Sequence, residues 1–190
     1  MSINTLPGTK SIHGTDPQFL IEKIVRERIY ESLYWKQECY DLTTESLVEK
    51  AVRLSHIGST FGGNQKPTPF LCLLLKLLQL QPDFEIVYAL IKDPTFKYLR
   101  ILASFYLRLV GRPRDIYENL EPLYSDYRKI RVKAPSSDYY LLCIDQVIET
   151  LLNEDGIFSI HLPRIPKRRD VEAKDGLAPR TSCLADQLTS

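Results

Sequence analysis

The chain has little of what metal, disulfide or nucleophilic chemistry requires. Its four cysteines, Cys39, Cys72, Cys143 and Cys183, are scattered and form no Cys-x-x-Cys pair, so no zinc ribbon or thioredoxin-type motif is present. Cys72 and Cys143 sit in apolar runs, where a free thiol behaves as a small hydrophobe, and the set fits a reducing intracellular compartment. The three histidines, His13, His56 and His161, belong to no His-Glu-x-x-His pattern and to no Cys/His cluster with zinc spacing. No Gly-x-Ser-x-Gly occurs. Cys39 and His56 can be drawn as nucleophile and base, but no third group orients them, and lone residues of these types more often pack than react. Carboxylate pairs such as Glu27 and Glu31 lie on a charged helix face, which is usually only solvated. No catalytic, cofactor or metal-binding residue is expected.

An excess of one charge is missing too. The 25 Lys and Arg against 24 Asp and Glu leave a net charge of +1, whereas a dedicated nucleic-acid domain is usually clearly basic. The longest apolar run, Phe70 to Leu80, falls far short of the ~20 residues that span a bilayer. No basic stretch followed by an apolar core opens the chain, which reads as no secretory signal. Neither an internal repeat nor a low-complexity tract is found.

What is present is ordinary globular material: 190 residues, 44% hydrophobic and 26% charged, enough for one domain with a sizeable core. Residues 1–10 read as a flexible leader, 11–169 as the domain and 170–190 as a flexible polar tail. Asp16-Pro17, Thr68-Pro69 and Asp93-Pro94 each place a capping side chain before a proline at a first helical position. From Pro17, Leu20, Ile21, Ile24, Val25 and Ile29 recur at helical spacing. A short helix is expected through Leu33, Tyr34 and Trp35 to Cys39, and one capped by Thr43 carries Leu47, Val48, Ala51 and Val52 on its buried side. After Pro82, Ile86, Val87, Leu90 and Ile91 face inward. A long helix from Pro94 to Gly111 is followed by one opened by Pro113. Lys129 to Val132 and Tyr139 to Ile144 flank the turn-like Ala134 to Asp138, a β-hairpin pattern. A last helix follows, capped by Asp145. The expectation is a mainly α, compact multi-helix domain around a buried Leu-rich helix, with a small hairpin near residues 128–144.

Three stretches hold candidate contact residues. Gly58 to Lys66 resembles a phosphate loop only in its glycine spacing. Asn64 stands where the lysine is needed, Lys66 is followed by Pro67, and the segment before it reads as helix. Gly62 and Gly63 are better read as turning the chain into the buried helix, leaving Asn64 and Lys66 as partner contacts at its mouth. Tyr117, Tyr124 and Tyr127, followed by Arg128, Lys129, Arg131 and Lys133, combine the residue types of interface hot spots. The same mixture suits RNA, with arginine on phosphate and tyrosine under a base; tyrosines packed beneath the hairpin are the third reading. Arg164, Lys167, Arg168 and Arg169 follow a proline pair and suit an RNA contact, a localisation signal or a solvated tail.

Several blocks together carry a family resemblance: SIHGTDPQFLIEKIVRERIYESLYWKQECYDLT from Ser11, GGNQKPTPFLCLLLKLLQL from Gly62, FKYLRILASFYLRLVG from Phe96, DIYENLEPLYSDYRKI from Asp115 and LPRIPKR from Leu162. In order and in kind they resemble the pre-mRNA-splicing factor 38 family, over Ser11 to Arg169. The departures are Ala134 to Asp138, parts of Leu54 to Thr60, and everything after Asp170. Animal members often continue into an Arg/Ser-rich tail that is not found here, so its role is not carried over. The resemblance implies a non-enzymatic nuclear protein of the tri-snRNP, needed when the spliceosome is activated, that docks other splicing proteins. It implies as partners a zinc-finger tri-snRNP protein and a helical protein of the microfibrillar-associated type, with weak contact to snRNA or pre-mRNA. A monomer within a larger complex and no membrane are expected. The rival reading is a direct RNA-binding module.

Overall fold

A computed structural model describes residues 10–12 and 14–180; His13 and Cys183, and most of the expected leader, lie outside it. The fold is mainly α and is organised on two buried helices.

The N-terminal pattern divides where one helix was expected. Asp16 accepts a hydrogen bond from the Gln18 amide and starts a 3-10 turn, Pro17–Leu20, before α1, Lys23–Glu31. The break rotates the apolar stripe, so Ile21, Val25 and Ile29 are buried while Ile24 is 60% exposed. A single π-helical turn, Trp35–Cys39, follows, and then α2, Thr44–Val52, with Thr43 and Ser46 in a reciprocal capping box.

The segment before Gly58, read as helix, is helical only as far as Val52 and then enters a two-residue strand, β1, Ile57–Gly58; β2, Thr60–Phe61, and β3, Lys66–Pro67, then form a small hairpin. Thr68 caps α3, Pro69–Leu80, through the Leu71 amide, and its hydroxyl donates to the Gly58 carbonyl at 2.7 Å. One threonine thus joins the helix start to β1. α3 packs against α1, α2, α5, β1 and both short N-terminal turns, and every residue from Phe70 to Gln79 is buried. Enclosure includes Lys76, at 4% exposure, whose ammonium donates to the Tyr40 carbonyl at 3.1 Å and lies 5.7 Å from the Trp35 ring.

In α4, Phe84–Lys92, Val87 and Ile91 face the core, but Ile86 is turned outward. Asp93 does not cap the long helix: it accepts from the Thr95 amide, and α5, Lys97–Val110, begins only after Phe96. α5 is buried from Leu99 to Val110 and packs against α2, α3, α4, α6 and α7. After α6, Pro113–Leu120, and a 3-10 turn, Glu121–Ser125, come the hairpin strands β4, Lys129–Lys133, and β5, Tyr139–Cys143. β1 joins β4 in parallel, Ile57 opposite Val132, making a three-stranded sheet ordered β1-β4-β5. α7, Ile144–Asn153, is capped at Cys143 rather than Asp145; β6, Gly156–Ile157, and β7, Ile160–His161, form another hairpin. The polar stretch that showed no periodicity contains α8, Arg168–Asp175, anchored by Val171, which is 1% exposed.

Candidate partner interface

Alternation along β4 sorts its side chains cleanly. Ile130 and Val132 are fully buried, so Lys129, Arg131 and Lys133 stand on the opposite face. Across the ladder Lys133 pairs with Tyr139 and Arg131 with Leu141, placing those residues on the same outer face. The Lys133 ammonium lies 3.9 Å from the Tyr139 ring centroid and 5.1 Å from that of Phe61, and the Arg131 guanidinium is 5.8 Å from Tyr139. His56, just before β1, meets Tyr139 edge to face at 5.4 Å. Burial lowers the affinity of this imidazole for protons, and Lys133 and Arg131 lower it further. The Lys97 ammonium donates to the Lys129 carbonyl at 2.7 Å, and the Arg131 amide donates to the Tyr98 hydroxyl at 3.1 Å.

The glycine-rich hairpin belongs to the same surface. The Gly62 amide donates to the Pro135 carbonyl at 2.9 Å, setting the β2–β3 turn against the β4–β5 turn. Lys66, exposed, pairs across the small hairpin with Phe61, which meets Lys133, and the exposed Asn64 lies in the β2–β3 turn. Gly62 carries a φ of +73°, as its turn requires, whereas Gly63 has an ordinary φ and open space around it. Gly58, to which the sequence reading gave no turn or packing role, is the tighter position: a Cβ there would stand 2.8 Å from the Lys133 carbonyl oxygen.

The tyrosines and arginines singled out from the sequence do not form one patch. Tyr117 is buried, its hydroxyl donating to the Pro166 carbonyl at 3.0 Å; Tyr124 is half-buried under the Arg180 guanidinium, 5.0 Å away. Tyr124 lines a groove of about 600 Å³ with Glu121, Arg168, Leu177 and Pro179. Tyr127 is 70% exposed. Arg128 is a structural clamp: Nε and Nη2 donate to the two Asp126 oxygens at 2.8 and 2.6 Å, and Nη1 donates to the Pro94 carbonyl. Arg100, buried, donates to the same carboxylate at 2.7 Å and to the Asp93 and Lys92 carbonyls. The Arg128 hydrogen bonds, then that of Arg100, hold the Asp126 carboxyl below the usual carboxylate range against the opposing effect of burial.

In the second basic cluster Arg168 is committed too. Its Nε and Nη2 grip Glu121 at 2.6 and 3.0 Å, and it also pairs with Glu172 and the Ala178 carbonyl. Arg164, Lys167 and Arg169 remain exposed. The Cys39 thiol is fully buried and burial pushes it up to about 12, the reverse of what a nucleophile needs. Among the described residues no group of three or more His, Cys, Asp or Glu is placed to hold a metal.

Sequence reasoning overlooked His56, Phe61 and Tyr139 as members of the basic face. The Lys-x-Arg-x-Lys alternation of residues 129–133 was visible, but its aromatic partners come from other strands. Only the β1–β4 pairing and the contact between the two turns bring them together.

The PRP38 family model matches residues 10–175. Over 188 residues, 99% of this chain, the sequence is 52% identical to Pre-mRNA-splicing factor 38 of Arabidopsis thaliana and 48% identical to Pre-mRNA-splicing factor 38A of Homo sapiens. It covers 53% and 60% of those two proteins, so it spans little more than half their length. Among solved structures, a chain in the Snu23-Prp38-MFAP1(217-258) complex of Chaetomium thermophilum superposes with a TM-score of 0.87 at 37% identity, covering 96% of both chains. With the blocks found in the sequence now seen as the buried helices and the sheet of one fold, the chain belongs to the PRP38 family.

Proposed function

We propose that this chain is a non-enzymatic nuclear splicing protein that serves as a docking platform within the tri-snRNP and is needed for spliceosome activation. The observation that carries the reading is its likeness, end to end, to a chain crystallised together with Snu23 and an MFAP1 segment. By that likeness its partners are a zinc-finger protein of the Snu23 type and a helical protein of the MFAP1 type. The geometry is consistent with a platform: arginines such as Arg100, Arg128 and Arg168 are spent on holding the scaffold, while Lys129 and Arg131 share one sheet face with Lys133, whose ammonium donates to the Ser137 carbonyl. Candidate contacts are Tyr127 and Lys129 where β4 begins and Asn64 and Lys66 at the β2–β3 turn, with Tyr124 in the separate groove.

Immobilised chain should retain both partners from nuclear extract through stepwise increases of salt. Loss of both at low salt from a well-folded chain would contradict the reading. The row Lys129, Arg131 and Lys133 beside Tyr139 favours a second one, direct contact with RNA, which would weaken steeply and log-linearly with salt.

A further inference from the structure

The three-stranded sheet is open along β5, its outermost strand. The Ala134 amide donates to the Asp138 carbonyl and the Ile144 amide to the Arg128 carbonyl, which places the hydrogen-bonded pairs of this antiparallel ladder at 128/144, 130/142, 132/140 and 134/138. Tyr139 and Leu141 therefore direct their N–H and C=O groups away from β4. Among the described residues nothing pairs with them, whereas the Cys143 amide is already taken by the Gln146 side chain at 2.9 Å.

Natural edge strands are usually blunted by lysine, proline, a bulge or a covering element. Tyr139-Tyr140-Leu141-Leu142-Cys143 has no charge and no proline, and its register with β4 is unbroken. Its first three residues are 51%, 44% and 59% exposed. We infer that the open edge of β5 is a docking strand for an extended, acidic segment of a partner protein, which would add a fourth strand to the sheet.

Charge decides the chemistry of the occupant. Lys133 already leans over β5 onto Tyr139, and Arg131 follows it, so two cations face the side chains of any strand laid along the edge. Side chains opposite Tyr139 and Leu141 share the face of these cations, and the alternate ones meet the inward but half-exposed Tyr140. Alternating acidic and apolar residues fit both. Asp138, the acid of the hairpin, sits at the turn and accepts from the Ser136 hydroxyl. A second copy of this chain fits poorly, since pairing two β5 edges about a twofold axis brings both cation rows onto one face. RNA can use the cations and the tyrosine but has no ladder of amides to match Tyr139 and Leu141.

The inference rests on the platform reading, and one set of measurements separates them. Fluorescence anisotropy is followed with labelled (Glu-Val)4 and (Lys-Val)4 peptides, and amide hydrogen exchange is read at Tyr139 and Leu141. Expected are binding of (Glu-Val)4 but not (Lys-Val)4, protection of both amides, and at least about tenfold weaker binding to Leu141→Pro, whose lost N–H faces outward and leaves the β4 ladder intact. The double variant Arg131→Glu/Lys133→Glu should reverse the peptide preference. Should Leu141→Pro fail to fold, the exchange pattern of the unaltered chain and the charge reversal decide. Equal binding of both peptides, or (Glu-Val)4 binding without amide protection, overturns the inference. So does protection of these amides by a uridine-rich single strand or by self-association in place of peptide. Capture of Snu23-type and MFAP1-type partners by a chain that ignores (Glu-Val)4 also removes the edge while leaving the platform. Peptide binding without partner capture keeps the edge and removes the platform.

Discussion

Asp126 shows how much of this surface is scaffold. One carboxylate, with 9% of its side chain exposed, joins Arg100 and Arg128 and through them the carbonyls of Lys92, Asp93 and Pro94. Removing one partner of a buried ion pair leaves an unmatched charge, so Asp126→Ala should lower stability by about 3–5 kcal/mol, read by denaturant titration. Because the folded-state carboxyl is held below its unfolded value of 3.8, the unfolded chain binds more protons between the two. Its contribution is therefore complete above that value and lost as pH falls through the folded one. Asp126→Asn should flatten the acid limb of a stability–pH curve; an unchanged limb would show that the pair contributes nothing. Gly58 makes a second residue-scale case. Gly58→Ala must push against the Lys133 backbone, whereas Gly63→Ala meets open space. Melting curves should show the first clearly destabilised and the second near neutral; equal shifts would contradict the close approach of β1 and β4.

At the scale of elements, α3 is the part most legible in sequence and the part whose failure is expected to matter most. Leu74→Ala should cost about 2–5 kcal/mol, the usual range for a core leucine. Lys76 is enclosed with the leucines around it, and burial lowers its affinity for protons. Lys76→Ala removes the donor to the Tyr40 carbonyl and the packed stem, so it should destabilise measurably, by about 1–3 kcal/mol. The β4–β5 hairpin was legible as well, because an alternating run, Lys129 to Val132, and an aromatic-apolar one, Tyr139 to Ile144, flank a turn of Pro, Ser and Asp. β1 was not: two residues carry no period, and their partner Val132 lies far along the chain. α8 escaped for a related reason, since its single buried residue, Val171, cannot make a stripe. Proline also misled in one place. Asp93-Pro94 looks like a helix start, yet Arg100 draws the Asp93 carbonyl to itself and the helix begins three residues later.

Across the whole molecule, distant segments are sewn together by cations bound to backbone oxygens. Arg108, buried in α5, donates to the Leu151 carbonyl at 2.6 Å and to the Pro163 carbonyl at 2.7 Å, while Tyr117 holds Pro166. The basic cluster Arg164, Lys167, Arg168 and Arg169 therefore stands on a stretch pinned at Pro163 and Pro166, with Arg168 held by Glu121 and Arg164, Lys167 and Arg169 exposed. The candidate surface was legible only in part for the same reason: residue types can be read from the chain, but which arginines are consumed by the fold cannot. The residues left free point to docking, and docking is tested most directly by reconstitution. Purified chain is titrated calorimetrically with a Snu23-type protein and with an MFAP1-type segment, separately and then together, beside a melting curve. Saturable binding of both that persists at raised salt is the expected result. A chain that melts cooperatively yet binds neither, while binding single-stranded RNA with a steep salt slope, would contradict the account.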